Sequence, residues 1–111
     1  MLLFISIEGK VEKHGHLGYV FVDPEYSRRG IATNLTIAAM DILRNLGVVR
    51  FWAVTEFFNK PAIRILEKLG FKKVDKEYIL LTLGNEALKL LMWRFIFIEE
   101  TDVIYTRPAV D

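Results

Sequence analysis

Arg28 and Arg29, followed at once by Gly30 and then Ile31, Ala32 and Thr33, are the residues of this chain whose types and order point to chemistry. They close the stretch 19–35, YVFVDPEYSRRGIATNL, in which an apolar run over 19–22 reads as a strand and Pro24 ends it, because proline cannot donate to a ladder. Gly30 supplies unusual dihedrals or room for close ligand approach where a helix begins. The first amides of a helix lack intrahelical partners, and the aligned peptide dipoles place partial positive charge there. An anion is the natural occupant, and two neighbouring arginines would hold a phosphate or pyrophosphate by charge-assisted hydrogen bonds. The same spacing also suits an ordinary strand-turn-helix with two solvated arginines, and spacing alone leaves both readings open.

The stretch resembles the cofactor-binding motif of the GNAT N-acetyltransferases: a strand, then V-x-P, then [RQ]-x-x-G-x-[GA] opening a helix. Here it reads Val22, Asp23, Pro24, then Ser27, Arg28, Arg29, Gly30, Ile31, Ala32, with Ser27 where Arg or Gln is usual. Downstream, residues 59–71, NKPAIRILEKLGF, are similar to a second family block, N-x-x-A-I-x-x-Y-x-x-x-G-F. Asn59, Ala62, Ile63, Gly70 and Phe71 match, whereas Leu66 stands where many members place a tyrosine thought to protonate the leaving thiolate. The resemblance implies acetyl-coenzyme A as cosubstrate and no metal. It assigns cofactor binding to Val20, Phe21, Val22, Arg28, Arg29, Gly30, Ile31, Ala32 and Thr33, with Asn59 reaching the pantetheine amides.

The implied reaction is direct acetyl transfer to a primary amine of a small molecule, a protein N-terminus or a lysine. It needs a neutral amine, a donor for the developing oxyanion and a route for protons. The resemblance places the oxyanion donor at the backbone amide of Phe21 or Val22. Some members carry a glutamate on the second parallel strand, and the matching position here, five before Asn59, is Val54. Glu56 leaves the same strand and is the candidate base, directly or through a water; a solvated strand-end charge is the competing reading. Tyr19, Tyr26, Tyr78 and Tyr105 are unranked as acids. Leu66 and Val54 keep open a catalytically silent coenzyme A-binding regulatory or structural module. A generic reading of the basic turn keeps open an interaction domain with no nucleotide ligand.

The elements that must position these groups follow from pattern. After Gly30, Ile31, Leu35, Ala38, Ala39, Ile42, Leu43 and Leu46 recur at helical spacing, predicting one buried helix face and a stop at Gly47. Residues 48–55, VVRFWAVT, are nearly continuously apolar, as a strand covered on both faces requires. Strand, helix, strand then implies a right-handed crossover and a parallel pair, which the resemblance expects to splay around the pantetheine arm. Asn59 caps a second helix that admits Pro61 in its first turn and ends at Gly70. Before all of these, MLLFISIEGK reads as a strand, joined by GKVEKHGH as a polar connection to the next strand in an antiparallel hairpin. His14 and His16 then lie in or beside a solvated loop, free to titrate near neutrality and without acidic neighbours in a ligand spacing.

Residues 71–83 and 87–98 read as two long apolar strands around a Gly84-Asn85 turn. ALKLLMW fits a helix equally well, but β-branched and aromatic residues dominate 93–98 and the family ends in such a hairpin. The tail, 99–111, carries one more strand candidate over 103–106. The expected fold is α/β (α+β): a GNAT-like mixed sheet with an N-terminal antiparallel hairpin, two helices around a parallel pair, and a C-terminal hairpin.

At 111 residues, 52% hydrophobic and 26% charged, the sequence suits one globular domain over 1–111. Its net charge of +1 provides no global field for nucleic acid or an anionic membrane. The absence of cysteine excludes disulfides and thiolate catalysis, and fits a cytoplasmic setting. Domains of the family usually begin with a strand and two helices that wall the acceptor site, whereas this chain starts about where their third strand would lie. The expectation is a short form whose missing wall a partner supplies, most simply a homodimer joining exposed strand edges. An incomplete reading frame or a fragment is the alternative.

Overall fold

A computed structural model of the chain describes residues 2–17, 30–95 and 97–110. Their elements are β1 (Leu2–Ile7), β2 (Lys10–Leu17), α1 (Ile31–Asn45), β3 (Arg50–Glu56), α2 (Lys60–Lys68), β4 (Lys72–Val74), α3 (Lys76–Leu83), α4 (Asn85–Phe95) and β5 (Asp102–Pro108). The five strands form one mixed sheet in the order β1-β2-β3-β5-β4. The β2–β3 pair is parallel and the others are antiparallel. This is the expected mixed sheet, with its hairpin at the N-terminal edge.

The hairpin turns earlier than the sequence suggested. Glu8 and Gly9 both adopt positive φ, 51° and 81°, the two-residue geometry that matches the twist of paired strands. VEKHGH is therefore not a connection: it is most of β2, in register with β1 from Leu2 opposite Gly15 to Ile7 opposite Lys10. Alternation along β2 sends Glu12, His14 and His16 to one face and Gly15 and Leu17 to the other. His14 and His16 are thus buried sheet residues, 1% and 9% exposed, not loop residues.

Each face of the sheet has its own helical layer. Met40 and Leu43 of α1 and Leu66 of α2 pack on Leu17, Phe51, Ala53 and Tyr105. Ile79 of α3, with Ala87, Leu91 and Phe95 of α4, packs on Leu3, Ile5, Trp52 and Ile104. β3 is buried from both sides, which explains its unbroken apolar run.

Two expectations fail at the helices. α1 buries Ala32, Thr36, Met40 and Leu43, while Leu35, Ile42 and Leu46 of the predicted stripe are 66%, 62% and 50% exposed. Close approach decides it: a Cβ added to Gly15 would sit 2.8 Å from a Leu43 methyl, so α1 rests on β2 with Leu43 seated over a position that has no side chain. Thr36 is accommodated because its hydroxyl donates to the Ala32 carbonyl at 2.8 Å.

The second failure is C-terminal, where helices α3 and α4 replace the two long strands predicted over 71–98. Asp75 caps α3 by accepting from the Tyr78 amide at 2.8 Å. Ala87, Leu91 and Phe95, four residues apart, give α4 a single buried row. An antiparallel C-terminal pair does exist, but it joins β4 to β5, and the tail candidate over 103–106 lies inside β5, between β3 and β4.

Candidate functional site

α1 begins at Gly30, whose φ of 70° is left-handed and whose side-chain direction is open space. Glycine alone takes that conformation without a Cβ penalty. Among the described residues no side chain caps the helix, and its first turn holds no acidic residue. The amides at Ile31, Ala32 and Thr33 accordingly keep the partial positive charge that favours an anion. The other end of α1 is fixed by Lys13 Nζ, which donates to the Leu46 carbonyl at 3.3 Å, while the Val49 amide donates to the Lys13 carbonyl at 2.8 Å. Fifteen residues of helix, about 22 Å, then carry the first turn toward the carboxyl ends of β2 and β3, where open α/β sheets bind ligands.

The same edge receives the end of β3 and the start of α2. Glu56 is the last residue of β3, half-buried and opposite Asp102 of β5. Its carboxylate has no hydrogen-bond or ion-pair partner among the described residues. Alternation puts it on the sheet face of Trp52 and Val54, the face roofed by α3 and α4. Asn59 caps α2, its Oδ1 accepting from the Ala62 amide at 3.3 Å, which leaves its amide hydrogens for a second partner. By connectivity, Gly30, Ile31, Ala32 and Thr33 open the helix that follows β2, while Glu56 and Asn59 stand at the end of β3 and the start of α2. Val20, Phe21, Val22, Arg28, Arg29, Tyr19 and Tyr26 lie outside the described residues.

Leu66 is completely buried in the core beneath α2, so this position faces packing and not a cleft. Tyr105 is buried on the same side, where desolvation and then the Glu67 charge push its hydroxyl above the usual tyrosine range. Tyr78 is exposed on α3.

On the same sheet face as the candidate base runs a largely buried polar network that the loop reading missed. Trp52 Nε1 donates to His14 Nδ1 at 2.7 Å, and His14 Nε2 meets Glu12 Oε1 at 2.9 Å. Indole is a donor only, so His14 is neutral with its proton on Nε2, directed at Glu12. Burial lowers the His14 pKa, partly opposed by the hydrogen bond that His14 donates to Glu12. His16 packs its ring 4.6 Å from that of Phe95, and burial pushes it down to about 4. Neither histidine is a solvated base, and Glu12 partners His14 from the same strand. The signal was present as the alternation Glu12, His14, His16.

A second feature that sequence reasoning passed over is apolar. Phe57 and Phe58 follow Glu56 and meet edge-on, with ring centroids 5.3 Å apart. Both are more than half exposed.

The model of the Acetyltransferase (GNAT) family matches residues 2–71. N-alpha-acetyltransferase 30 of Schizosaccharomyces pombe is 30% identical over 79 residues, 71% of this chain and 53% of that protein. An N-alpha-acetyltransferase of Saccharolobus solfataricus is 40% identical over 63 residues, 56% of this chain and 38% of that protein. Among solved structures, a chain of the NatC complex bound to Gag peptide and CoA superposes with a TM-score of 0.64 at 20% identity, covering 96% of this chain and 57% of that one. The chain thus spans between 38% and 57% of the length of these relatives.

Proposed function

Because the chain belongs to the acetyltransferase (GNAT) family, we propose that it moves an acetyl group from acetyl-coenzyme A directly to a primary amine. The observation carrying this reading is the uncapped, acid-free N-terminus of α1 at the carboxyl edge of a parallel strand pair. Acetyl-coenzyme A supplies the activated acetyl group, its diphosphate held by the Ile31, Ala32 and Thr33 amides with Arg28 and Arg29. Asn59 donates to the pantetheine arm. The amine must reach the reaction neutral, and Glu56 takes its proton, directly or through a water. No side chain is assigned as acid, since Leu66 is core; positioning and backbone hydrogen bonding carry the acceleration.

The similarity to N-alpha-acetyltransferases supports a peptide or protein amino terminus as acceptor. A homodimer formed through the β1 edge, working in the cytoplasm, completes the proposal. A thermal-shift and thiol-release screen with acetyl-coenzyme A against a panel of amines tests it: stabilisation by the cofactor together with amine-dependent free thiol is expected. Stabilisation without thiol would identify the silent coenzyme A-binding module, which the buried Leu66 and the apolar Val54 favour.

A further inference from the structure

The proposed cofactor contacts lie at the first turn of α1 and at Asn59 before α2, and the far ends of both helices meet one short segment of chain. α1 runs back to the amino end of β3 and α2 to the start of β4; these strands point the same way, because each is antiparallel to β5. Both helices therefore end beside the close of β5. There Arg107 stands opposite Phe51, and the Ala109 amide donates to the Val49 carbonyl at 2.9 Å. From the last turn of α1 the Arg44 guanidinium lies over the Phe51 ring, 5.2 Å from its centroid, and its Nε donates to the carbonyl of buried Ala109 at 2.6 Å. Its Nη1 donates to Asp41 at 2.9 Å. Arg107 Nη1 donates at 2.8 Å to the carbonyl of Leu69, the C-cap of α2, and its Nε to the Pro108 carbonyl at 2.9 Å. Residues 107–109 thus form a strap bound to both helix ends by charge-assisted hydrogen bonds.

We propose that Arg44 and Arg107 are positioning residues for cofactor binding: by tying the ends of α1 and α2 to residues 107–109, they set the separation of the two helix starts that hold acetyl-coenzyme A. Near its first turn α1 buries only the small side chains Ala32 and Thr36. Its grip on the sheet lies toward the other end, at Met40 and Leu43 and at the bonds made by Lys13 and Arg44. A helix held that way acts as a lever. Tilting it by about 5° around its middle moves the first turn by about 1 Å, more than the ~0.5 Å range of good amide hydrogen-bond lengths. A diphosphate at the α1 amides and a pantetheine arm at Asn59 are gripped from different helices, so a slack strap weakens both grips at once. Lost preorganisation of this kind appears as weaker binding, not as slower turnover once the cofactor is saturating.

The inference rests on the acetyltransferase reading, and its test separates the two. Arg44→Met and Arg107→Met keep a long side chain at half-buried positions and remove the donors. Calorimetric titration with coenzyme A, thiol release with a saturating amine, and urea midpoints are measured for the unaltered chain and both variants. Each substitution is expected to raise the Kd for coenzyme A and the KM for acetyl-coenzyme A roughly fivefold, with kcat unchanged. Arg44→Lys, which keeps a charged donor, is expected to restore most of the affinity. A purely structural role would lower the urea midpoint and leave Kd and KM where they were. That result, or an equal loss in Arg44→Met and Arg44→Lys, overturns the inference and leaves the transferase reading standing. The titration decides the inference also in a chain that binds the cofactor without releasing thiol. An unaltered chain that neither binds coenzyme A nor releases thiol overturns both.

Discussion

At the scale of single residues, Leu66 and the His14 network show what the family pattern hides. A tyrosine restored at position 66 would enter a fully buried site. Leu66→Tyr should therefore overpack the core and lower stability by ~1–3 kcal/mol, with no gain in kcat, read by urea melts beside thiol release. Trp52→Phe keeps an aromatic ring but leaves a small void at a fully buried position and strips His14 Nδ1 of its donor. An unpaired buried acceptor costs ~1–3 kcal/mol, visible as a lower urea midpoint with an unchanged slope. Both histidines have folded pKa values below the unfolded 6.5, so the unfolded chain binds more protons than the folded one just below that pH. Stability is then fully present above pH 6.5 and lost as pH falls toward about 4 for His16, on the order of 3 kcal/mol for that group. Urea midpoints at pH 7.5 and pH 5 check the fall, which His16→Gln should flatten. Glu12, His14 and His16 alternate in the sequence, yet three charged or titratable neighbours with a glycine read more naturally as a loop. Burial against Trp52 and Phe95 is a tertiary fact that no local pattern carries.

At the scale of elements, the crossover was legible because strand, cap and stop signals agree. VVRFWAVT, Asn59, Pro61 and Gly70 each sit where β3 and α2 need them. Asn59→Ala should cost about 1 kcal/mol of stability through the lost cap and also weaken acetyl-coenzyme A binding, a pairing that a thermal melt and a calorimetric titration resolve. The buried side of α1 was misread because apolarity was taken as burial. What governs the contact is how near the helix can come, and Gly15 permits that approach. Gly15→Ala should consequently destabilise the chain by ~1–3 kcal/mol, as Leu43 is forced aside, measurable as a lowered urea midpoint. The C-terminal misreading has a different cause: the β propensity of residues 93–98 outweighed the four-residue rhythm of Ala87, Leu91 and Phe95. Tertiary packing on Trp52 and Ile104 settles that competition in favour of α4.

At the scale of the whole molecule, the sheet is closed on both faces and open along β1. α3 and α4 cover the second face. Among the described residues no strand pairs with the outer edge of Leu2–Ile7, the longer of the two edge strands, which contains no proline and no charge and pairs with β2 without a bulge. Proteins normally blunt such edges. A two-fold axis perpendicular to the sheet lets β1 meet a second copy in antiparallel register with like faces together. Same-face pairing requires the two residue numbers to sum to an even value, as when Phe4 meets its own copy and Leu3 meets Ile5. That register stacks two aromatic rings, each 59% exposed in the single chain, and buries both on association. Sedimentation velocity at micromolar concentration should show a dimer. Phe4→Lys places like charges at the axis and should yield a folded monomer with the helical signal intact, since Phe4 belongs to neither core. A wild-type monomer over the same concentration range would show that the edge stays unpaired.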